Sequence, residues 1–172
     1  MPSPIDDSII LGIDPGTNVM GLGLIKTNGK NMEVIDMKEL FLYRISDHFI
    51  KLKKIFKVTL EIIDNYSPNE LAIESPFFGK NAQSSLKIGR AQGVAIAAAL
   101  YKEILITEYS PRKIKMSITG YGNATKEHVA KMLKKLLKLE QFPCSHLDAS
   151  DAIAVAVCHH RCHGTSMNAE SS

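Results

Sequence analysis

The feature that most constrains the fold is an uninterrupted apolar run, SIILGID, that ends in Asp14. An apolar run of this length without alternating polar residues is typical of a strand covered on both faces. The segments GLGLIKT and MEVIDMKEL follow as two further strands, with NGK as the hairpin turn between them. The chain is therefore predicted to open with a meander of three antiparallel strands, with Asp14 at the end of the first.

Helical and strand patterns alternate after this meander. Apolar residues recur at helical spacing over residues 46–65, LAIE is a short buried strand that ends in Glu74, and an alanine-rich helix is predicted over residues 82–101. EILITEY is a fifth strand, followed by helices over 111–117 and 125–139 and a last helix that begins near Ser145. This order predicts an α/β fold with a five-stranded mixed sheet and flanking helices.

The chain as a whole has the composition of one globular domain. No linker, repeat or low-complexity segment divides its 172 residues, so we predict a single domain over residues 1–172, with a core at about 9–160 and disordered ends. The net charge of +3 permits a polyanionic partner. The sequence shows no membrane-length apolar run, no secretory signal pattern and only three cysteines. We therefore expect a cytoplasmic protein with no membrane partner.

Carboxylates from three separate segments are predicted to share one cleft. Asp14 and Glu74 end buried strands, and sites in α/β sheets assemble at the carboxyl edge of the strands. Asp148 and Asp151 are three residues apart near the start of the last helix, so they project from one face of it. Clustered anions raise one another's pKa values, and bound Mg²⁺ relieves this repulsion. Two such ions about 3.5–4 Å apart can hold the attacking water and the leaving oxygen of a phosphodiester displacement.

A structural role is the alternative for each of these acids. Asp14 precedes Pro-Gly and can initiate a turn, and Asp148 or Asp151 can favour a helix N-terminus. Such roles leave Glu74 unexplained at the end of an apolar strand, which favours the shared site.

Four segments carry a resemblance to a known family: GIDPGTNVMGLGLI, LAIESPFFGKNAQSSLKIGRAQGVAIAAAL, EYSPRKIKMSITGYGNATK and HLDASDAIAVAVCHH. In order and spacing they resemble the RuvC Holliday-junction resolvases of bacteria, over about residues 9–160. The resemblance implies an RNase H-like fold, a symmetric homodimer and a Mg²⁺-dependent endonuclease with two ions in each active site, where Mn²⁺ can substitute. Such crossover junction endodeoxyribonucleases nick two opposed strands of four-way junction DNA during recombination and repair. The branch-migration helicase complex RuvA/RuvB is a further candidate partner.

The resemblance also implies which residues form the site. The family's four metal-binding catalytic acids fall on Asp14, Glu74, Asp148 and Asp151. The third of these is a histidine in some relatives and a carboxylate here. Lys115 and Lys126 match basic positions associated with catalysis or phosphate binding.

The loop SPFFGKN follows the second acid, where the family has an aromatic residue that stacks on bases near the crossover, and Phe77 is the matching position. Stacking on a base is worth about 1–3 kcal/mol. Either phenylalanine of the loop can instead anchor it to the core, and for Phe78 we favour this anchoring role. Basic residues flanking the cleft suit phosphate binding, although such side chains are also commonly solvated: Lys80, Lys87, Arg90, Arg112 and Lys113.

Small residues recur four apart in GRAQGVAIAAA, at Gly89, Gly93 and Ala97. Such a stripe lets another backbone approach closely, which is either this protein's own sheet or a second subunit. The family's dimer uses this helix in part, so the resemblance favours the subunit contact.

The segment CHHRCHG at 158–164 raises the question of a zinc site. Its spacing does not match the usual pattern of zinc ligands, and the only cysteine elsewhere is Cys144. We therefore interpret the segment as the solvent-exposed end of the last helix, where histidines suit the negative pole of the helix dipole.

Three other functions compete with the resolvase interpretation. YqgF-type nucleases share the fold but lack the SPFFGKN and GRAQG segments. Actin- and Hsp70-like ATPases have a phosphate loop similar to GIDPGT, but they need a second glycine-rich loop and a much longer chain. A catalytically inactive junction-binding protein is disfavoured because all four acids are in place.

Overall fold

The computed structural model describes residues 7–142 and 147–164, with side chains of the last segment described from 148 to 163. The five strands are β1 (Ser8–Asp14), β2 (Val19–Asn28), β3 (Asn31–Phe41), β4 (Glu70–Glu74) and β5 (Leu105–Tyr109). The helices are α1 (His48–Tyr66), α2 (Ala82–Tyr101), α3 (Pro111–Thr119), α4 (Lys126–Leu137) and α5 (Leu147–Gly164). Most of the ends predicted to be disordered lie outside the described residues, as does Cys144. Within those ranges, no helix combines the length and apolar character needed to cross a bilayer.

The strands form one sheet in the order β3-β2-β1-β4-β5. The three leading strands are antiparallel, whereas β4 runs parallel to both β1 and β5. This confirms the predicted mixed sheet. Ile13 pairs with Ile73, so the carboxyl ends of β1 and β4 lie side by side and bring Asp14 next to Glu74.

Helices cover both faces of the sheet, and strand alternation decides which side chain meets which helices. Leu11 and Ile13 pack with α1 and α2, whereas Ile10 and Ala72 pack on the other face with α3, α4 and α5. Because successive residues of a strand point to opposite faces, Asp14, Glu70 and Glu74 all share the α5 face. Both ends of β4 therefore present an acid toward α5.

Side-chain caps start four of the helices where the sequence places a small polar residue. The capping side chain accepts a hydrogen bond from a backbone N–H in the first turn, which satisfies one of the free donors there. The four capping residues are Asp47, Asn81, Ser110 and Thr125. The predicted boundaries of α2 match the structure, and the others agree to within a few residues.

Glycines let α5 rest directly on the backbone of β1 and β2. A Cβ placed on Gly12 would lie 2.1 Å from the carbonyl oxygen of Ala152, and one on Gly21 would lie 2.2 Å from that of Asp148. Both distances are far below van der Waals contact, so any larger residue would push the helix away. The close approach places the start of α5 against the end of β1.

Part of the second half of α5 is buried, contrary to the expectation from the sequence. Cys158 and His159 are 0% and 1% exposed, because they face the sheet and α3, whereas Arg161 and His163 are exposed. The prediction of a solvent-exposed helix end is therefore wrong for the first part of the CHHRCHG segment.

Candidate active site

The structure brings the four predicted acids together at the carboxyl edge of the sheet. Asp14, Asp148 and Asp151 each offer a carboxylate oxygen, and these oxygens lie within 4.8 Å of one another. Glu74 is close enough to Asp14 for the two carboxyl groups to share a hydrogen bond. Acids from β1, β4 and α5 thus meet at one cleft of about 130 Å³, which Asp14, Glu74 and Asp151 line.

The turn after β1 is held in place by contacts that fix the position of Asp14. A Cβ on Gly16 would lie 2.0 Å from the carbonyl oxygen of Val19, so only glycine fits this tight turn. Lys51 of α1 donates a hydrogen bond of 2.8 Å to the carbonyl oxygen of Thr17. The loop therefore has little freedom to move Asp14 away from the cleft.

Burial and neighbouring carboxylates raise the pKa values of two of the acids, Asp14 and Asp151. The pKa of Asp14 lies well above its ordinary value, first because of burial and then because of the Glu74 carboxyl group and the charge of Asp151. Burial also raises the pKa of Asp151, with a further contribution from Asp148. The cluster therefore carries an excess of negative charge that favours a bound cation.

The two predicted catalytic lysines line the same cleft. Lys126, the first residue of α4, places its Nζ 2.8 Å from Oδ2 of Asp151 and 3.8 Å from Oδ1 of Asp148. The hydrogen bond to Asp151 raises the pKa of the Lys126 ammonium group. Lys115 of α3 is farther away, but its charge still lowers the pKa of Asp151. Both lysines partly compensate the acids.

The other predicted basic residues lie outside the cleft. Lys80 is exposed in the loop after β4, and Lys87 and Arg90 are exposed on the first half of α2. Burial lowers the pKa of His48, and the charges of Arg90 and Lys87 lower it further. Arg112 and Lys113 are exposed on α3. These exposed residues, here called the basic surface, do not line the acid cleft.

The loop after Glu74 presents both of its phenylalanines to solvent. Phe77 is 72% exposed and Phe78 is 89% exposed. The backbone of the loop is nevertheless tied to α2, because Ser85 accepts a hydrogen bond from the Gly79 N–H and donates one to the Phe77 carbonyl. The expectation that Phe78 anchors the loop to the core is wrong, since the backbone contacts hold the loop instead.

The small-residue stripe of α2 faces away from the sheet. Gly93 and Ala97 are exposed, and a Cβ added at Gly89 or Gly93 would meet nothing within 4 Å. The helix packs through its opposite face, which carries buried alanines such as Ala95. The alternative in which the stripe contacts this protein's own sheet is therefore wrong for the described part of the chain.

One buried polar residue beneath the site was not predicted from the sequence. Gln92 is 7% exposed, and its side-chain amide donates hydrogen bonds to the Glu108 carboxylate at 2.9 Å and to the Glu74 carbonyl at 3.4 Å. It thereby links α2 to the ends of β4 and β5. A single glutamine within the alanine-rich face of α2 was the signal available in the sequence.

Comparison with known proteins decides the family. The family model of the crossover junction endodeoxyribonuclease RuvC matches residues 10–159. The chain belongs to the RuvC family. This membership confirms the predicted family, RNase H-like fold and enzyme class, and it excludes the YqgF-type and ATPase alternatives.

Similar RuvC proteins cover most of the chain. A crossover junction endodeoxyribonuclease RuvC of Christiangramia forsetii is 61% identical over 153 residues, which are 89% of this chain and 79% of the relative. The RuvC of Cytophaga hutchinsonii is 56% identical over 154 residues, covering 90% and 76%. The structure of T. thermophilus RuvC in complex with a Holliday junction substrate matches with a TM-score of 0.84 at 26% identity, covering 92% of this chain and 96% of that one.

Proposed function

We propose that this protein resolves four-way (Holliday) DNA junctions by paired symmetric nicks, as a Mg²⁺-dependent endonuclease of recombination and repair. The convergence of four carboxylates and two lysines at one cleft carries this proposal. It occurs in a RuvC-family chain whose solved relative from T. thermophilus is in complex with a Holliday junction substrate.

The donor atoms of the cleft suit Mg²⁺ or Mn²⁺. All of them are carboxylate oxygens, the ligands that these hard cations prefer, and the like charges of Asp14, Glu74 and Asp151 favour neutralisation. We propose that Asp14, Glu74, Asp148 and Asp151 hold two such ions. When bound, the metal supplies Lewis acidity toward the phosphodiester and lowers the pKa of the attacking water.

The protein's own residues position the cations and the phosphate. Burial and then the Glu74 and Asp151 carboxylates raise the pKa of Asp14, and Lys126 offsets this only in part, so a cation bound in the cleft would stabilise the ionised carboxylates. Lys126 also holds Asp151 in position through its hydrogen bond of 2.8 Å. Lys115 and Lys126 offer positive charge to the phosphate that is cut, and the apolar side chains of Ile114 and Val129 line part of the cleft and limit its water.

The surface around the cleft suits a branched DNA. The exposed ring of Phe77 is available to stack on an unpaired base near the crossover. We propose that Lys80, Lys87, Arg90 and Arg112 contact phosphates, which would make binding strongly dependent on salt. The exposed stripe at Gly89, Gly93 and Ala97 is the proposed homodimer contact, which would relate two cleavage sites by the two-fold symmetry of a junction. The RuvA/RuvB partner and the cytoplasmic location stay predictions.

A cleavage assay tests this function. We expect the purified protein to nick a mobile four-way junction at two symmetric positions with Mg²⁺ or Mn²⁺, and to leave a duplex of the same sequence intact. Equal cutting of the duplex would contradict junction specificity. Tight junction binding without cutting under any divalent cation would favour the inactive binding protein. Light scattering should report a dimer, and a monomer at working concentration would contradict the proposed arrangement of two sites.

A further inference from the structure

Three ligating side chains meet at the ends of β4 and α5 that lie away from the catalytic cleft. Glu70 begins β4, four residues before Glu74, which is about 13 Å along a strand. His159 follows Asp151 by eight residues on α5, which is about 12 Å along a helix. The cluster of Glu70, His159 and His163, here called the imidazole cluster, is therefore separate from the acid cleft.

The contacts within the imidazole cluster are short. Nε2 of His159 lies 2.7 Å from Oε2 of Glu70, and its Nδ1 lies 2.8 Å from the hydroxyl of Tyr109. The His163 ring follows one helical turn later, with its centroid 4.3 Å from that of His159. One ligand atom from each of Glu70, His159 and His163 lies within 4.8 Å of the others.

The local structure explains this convergence. Histidines at positions i and i+4 project from one face of a helix, a spacing that is also used for paired zinc ligands. Glu70 points toward α5 because strand alternation places it on the same face as Ala72, which packs in the α5 core. Tyr109 bonds one ring nitrogen of His159, so the other nitrogen is directed at Glu70. An outer partner of this kind is what orients a metal-ligating histidine.

We propose that Glu70, His159 and His163 bind a zinc-class transition-metal ion that clasps α5 to β4. Imidazole nitrogen suits Zn²⁺ and its neighbours in the first transition row, whereas Mg²⁺ prefers oxygen ligands. Because metal–ligand bonds are about 2.0–2.2 Å long, an ion held by Glu70 and His159 requires their donor atoms, now 2.7 Å apart, to separate slightly. The Glu70 side chain is 33% exposed and His163 is exposed, so both have room to adjust while the buried His159 stays fixed.

The neighbouring cysteines fit this role less well. Cys158 is buried, and its sulfur faces the carbonyl oxygen of Lys113 on α3 at 4.0 Å rather than the contact between Glu70 and His159. The ligand that complements the two histidines thus comes from β4, a strand far away in the sequence. Three protein ligands leave a fourth position for water on the exposed side of His163.

The test uses the full chain carrying Asp14→Asn, which weakens cation binding at the acid cleft. Zn²⁺ is titrated calorimetrically into this protein and into derivatives that also carry His163→Ala or Glu70→Gln. Both second changes fall on partly or fully exposed side chains, so the fold should tolerate them. The matched control is His128→Ala, which removes an exposed histidine of α4. Cys162→Ser tests whether a thiol is a ligand.

We expect one Zn²⁺ per chain in the Asp14→Asn protein and in its His128→Ala and Cys162→Ser derivatives. His163→Ala and Glu70→Gln should each weaken binding by at least about a hundredfold, because loss of even an outer partner costs up to that much. Zn²⁺ at 100 times its Kd should raise the folded-to-unfolded ratio by about 100-fold, and it should slow amide exchange in the second half of α5. Mg²⁺ should produce neither effect.

Equal Zn²⁺ affinity in the Asp14→Asn protein and its His163→Ala derivative would overturn the proposal, as would no binding to either. Loss of binding in Cys162→Ser with retention in His163→Ala would assign the ion to a thiol site instead. Cobalt spectra distinguish these cases, since a thiolate ligand adds a charge-transfer band in the near ultraviolet that nitrogen and oxygen ligands do not. None of these outcomes depends on whether the protein cuts DNA.

Discussion

The two ends of the β4–α5 pair have opposite electrostatic character. At the carboxyl end of β4, Glu74 lines the same cleft as Asp14 and Asp151, and burial and like charge raise the pKa values of both aspartates. At its amino end, Glu70 meets His159, a group that can donate a hydrogen bond to it. The same two elements therefore carry a strained cluster of like charges at one end and a paired contact at the other.

This contrast separates function from stability. Like charges that are forced together destabilise a fold, so they persist where the protein requires them for binding or catalysis. Buried groups with mutual hydrogen bonds hold elements together. The acid end is therefore expected to control cutting, and the imidazole end to control how firmly α5 stays on the sheet.

The largest effect is expected from Asp14→Asn. Loss of this carboxylate removes a cation ligand worth several kcal/mol in the transition state, so junction cutting should fall by about 10³-fold or more. Junction affinity should persist because the basic surface is intact, as checked by a gel-shift assay with Asp64→Asn as control. In EDTA, Asp14→Asn should also raise Tm by about 2–4 °C, since it relieves repulsion. Parallel loss of binding would show that Asp14 is structural.

His159→Ala should have the opposite effect on stability to Asp14→Asn. It leaves the Tyr109 hydroxyl and the Glu70 carboxylate without their partner, and the loss in the free energy of unfolding should be about 3 kcal/mol. Urea denaturation in EDTA measures this change, with exposed His128→Ala as a control expected to stay within about 0.5 kcal/mol of the parent. An unchanged free energy of unfolding in His159→Ala would mean that the imidazole end does not stabilise the fold.

Lys126→Met tests a close counter-charge at the acid end, the ammonium group 2.8 Å from Asp151. Cutting should fall by about 10²-fold, because the variant removes a positive charge near the phosphate and releases Asp151. Single-turnover rates at saturating Mg²⁺ measure the effect, and Lys138→Met of the C-cap of α4 is the matched control. Equal rates for the two variants would show that Lys126 only balances charge in the resting protein.

Phe77→Ala should weaken junction binding by about 2 kcal/mol, the worth of one stacked base. Leu105→Ala is the comparison, because Leu105 is equally exposed at 72% but begins β5, at the other end of the sheet. Fluorescence anisotropy with labelled junction DNA should separate the two variants. Similar affinities would show that the loop ring does not stack on DNA.

The smallest effect is expected in the pH dependence of cutting, which should report the raised pKa values in the acid cluster. Because the pKa values of Asp14 and Asp151 are raised, protonation begins at a higher pH than for an ordinary aspartate, and cutting is lost as pH falls through this range. More Mg²⁺ should move this loss to lower pH, since protons and cations compete for the same oxygens. A pH profile independent of Mg²⁺ concentration would contradict the shared site.

The sequence predicted the sheet and its acid edge because both depend on short-range patterns. The apolar runs that end in Asp14 and Glu74 identify two strands from local sequence alone. Parallel pairing of these strands then brings the two acids together. The family resemblance added Lys115 and Lys126, which spacing alone did not select.

Features that depend on tertiary packing were not predictable in the same way. The imidazole cluster needs Glu70 and His159, which are 89 residues apart, and no local pattern connects them. Phe78 was expected to be buried because aromatic residues usually are, but hydrogen bonds through Ser85 hold the loop without it. Gln92 is visible only as one polar residue on an alanine-rich face.

The close contact of α5 with Gly12 and Gly21 has a consequence for which substitutions this protein can tolerate. Gly12 and Gly21 are required because they have no side chain. A single methyl group at either position would lie about 2 Å from a backbone atom of the helix. Such a change would displace α5, the helix that carries Asp148 and Asp151. Inactivating changes should therefore also arise at these two strand positions, because Gly12 and Gly21 hold α5 against the sheet next to the acid cleft.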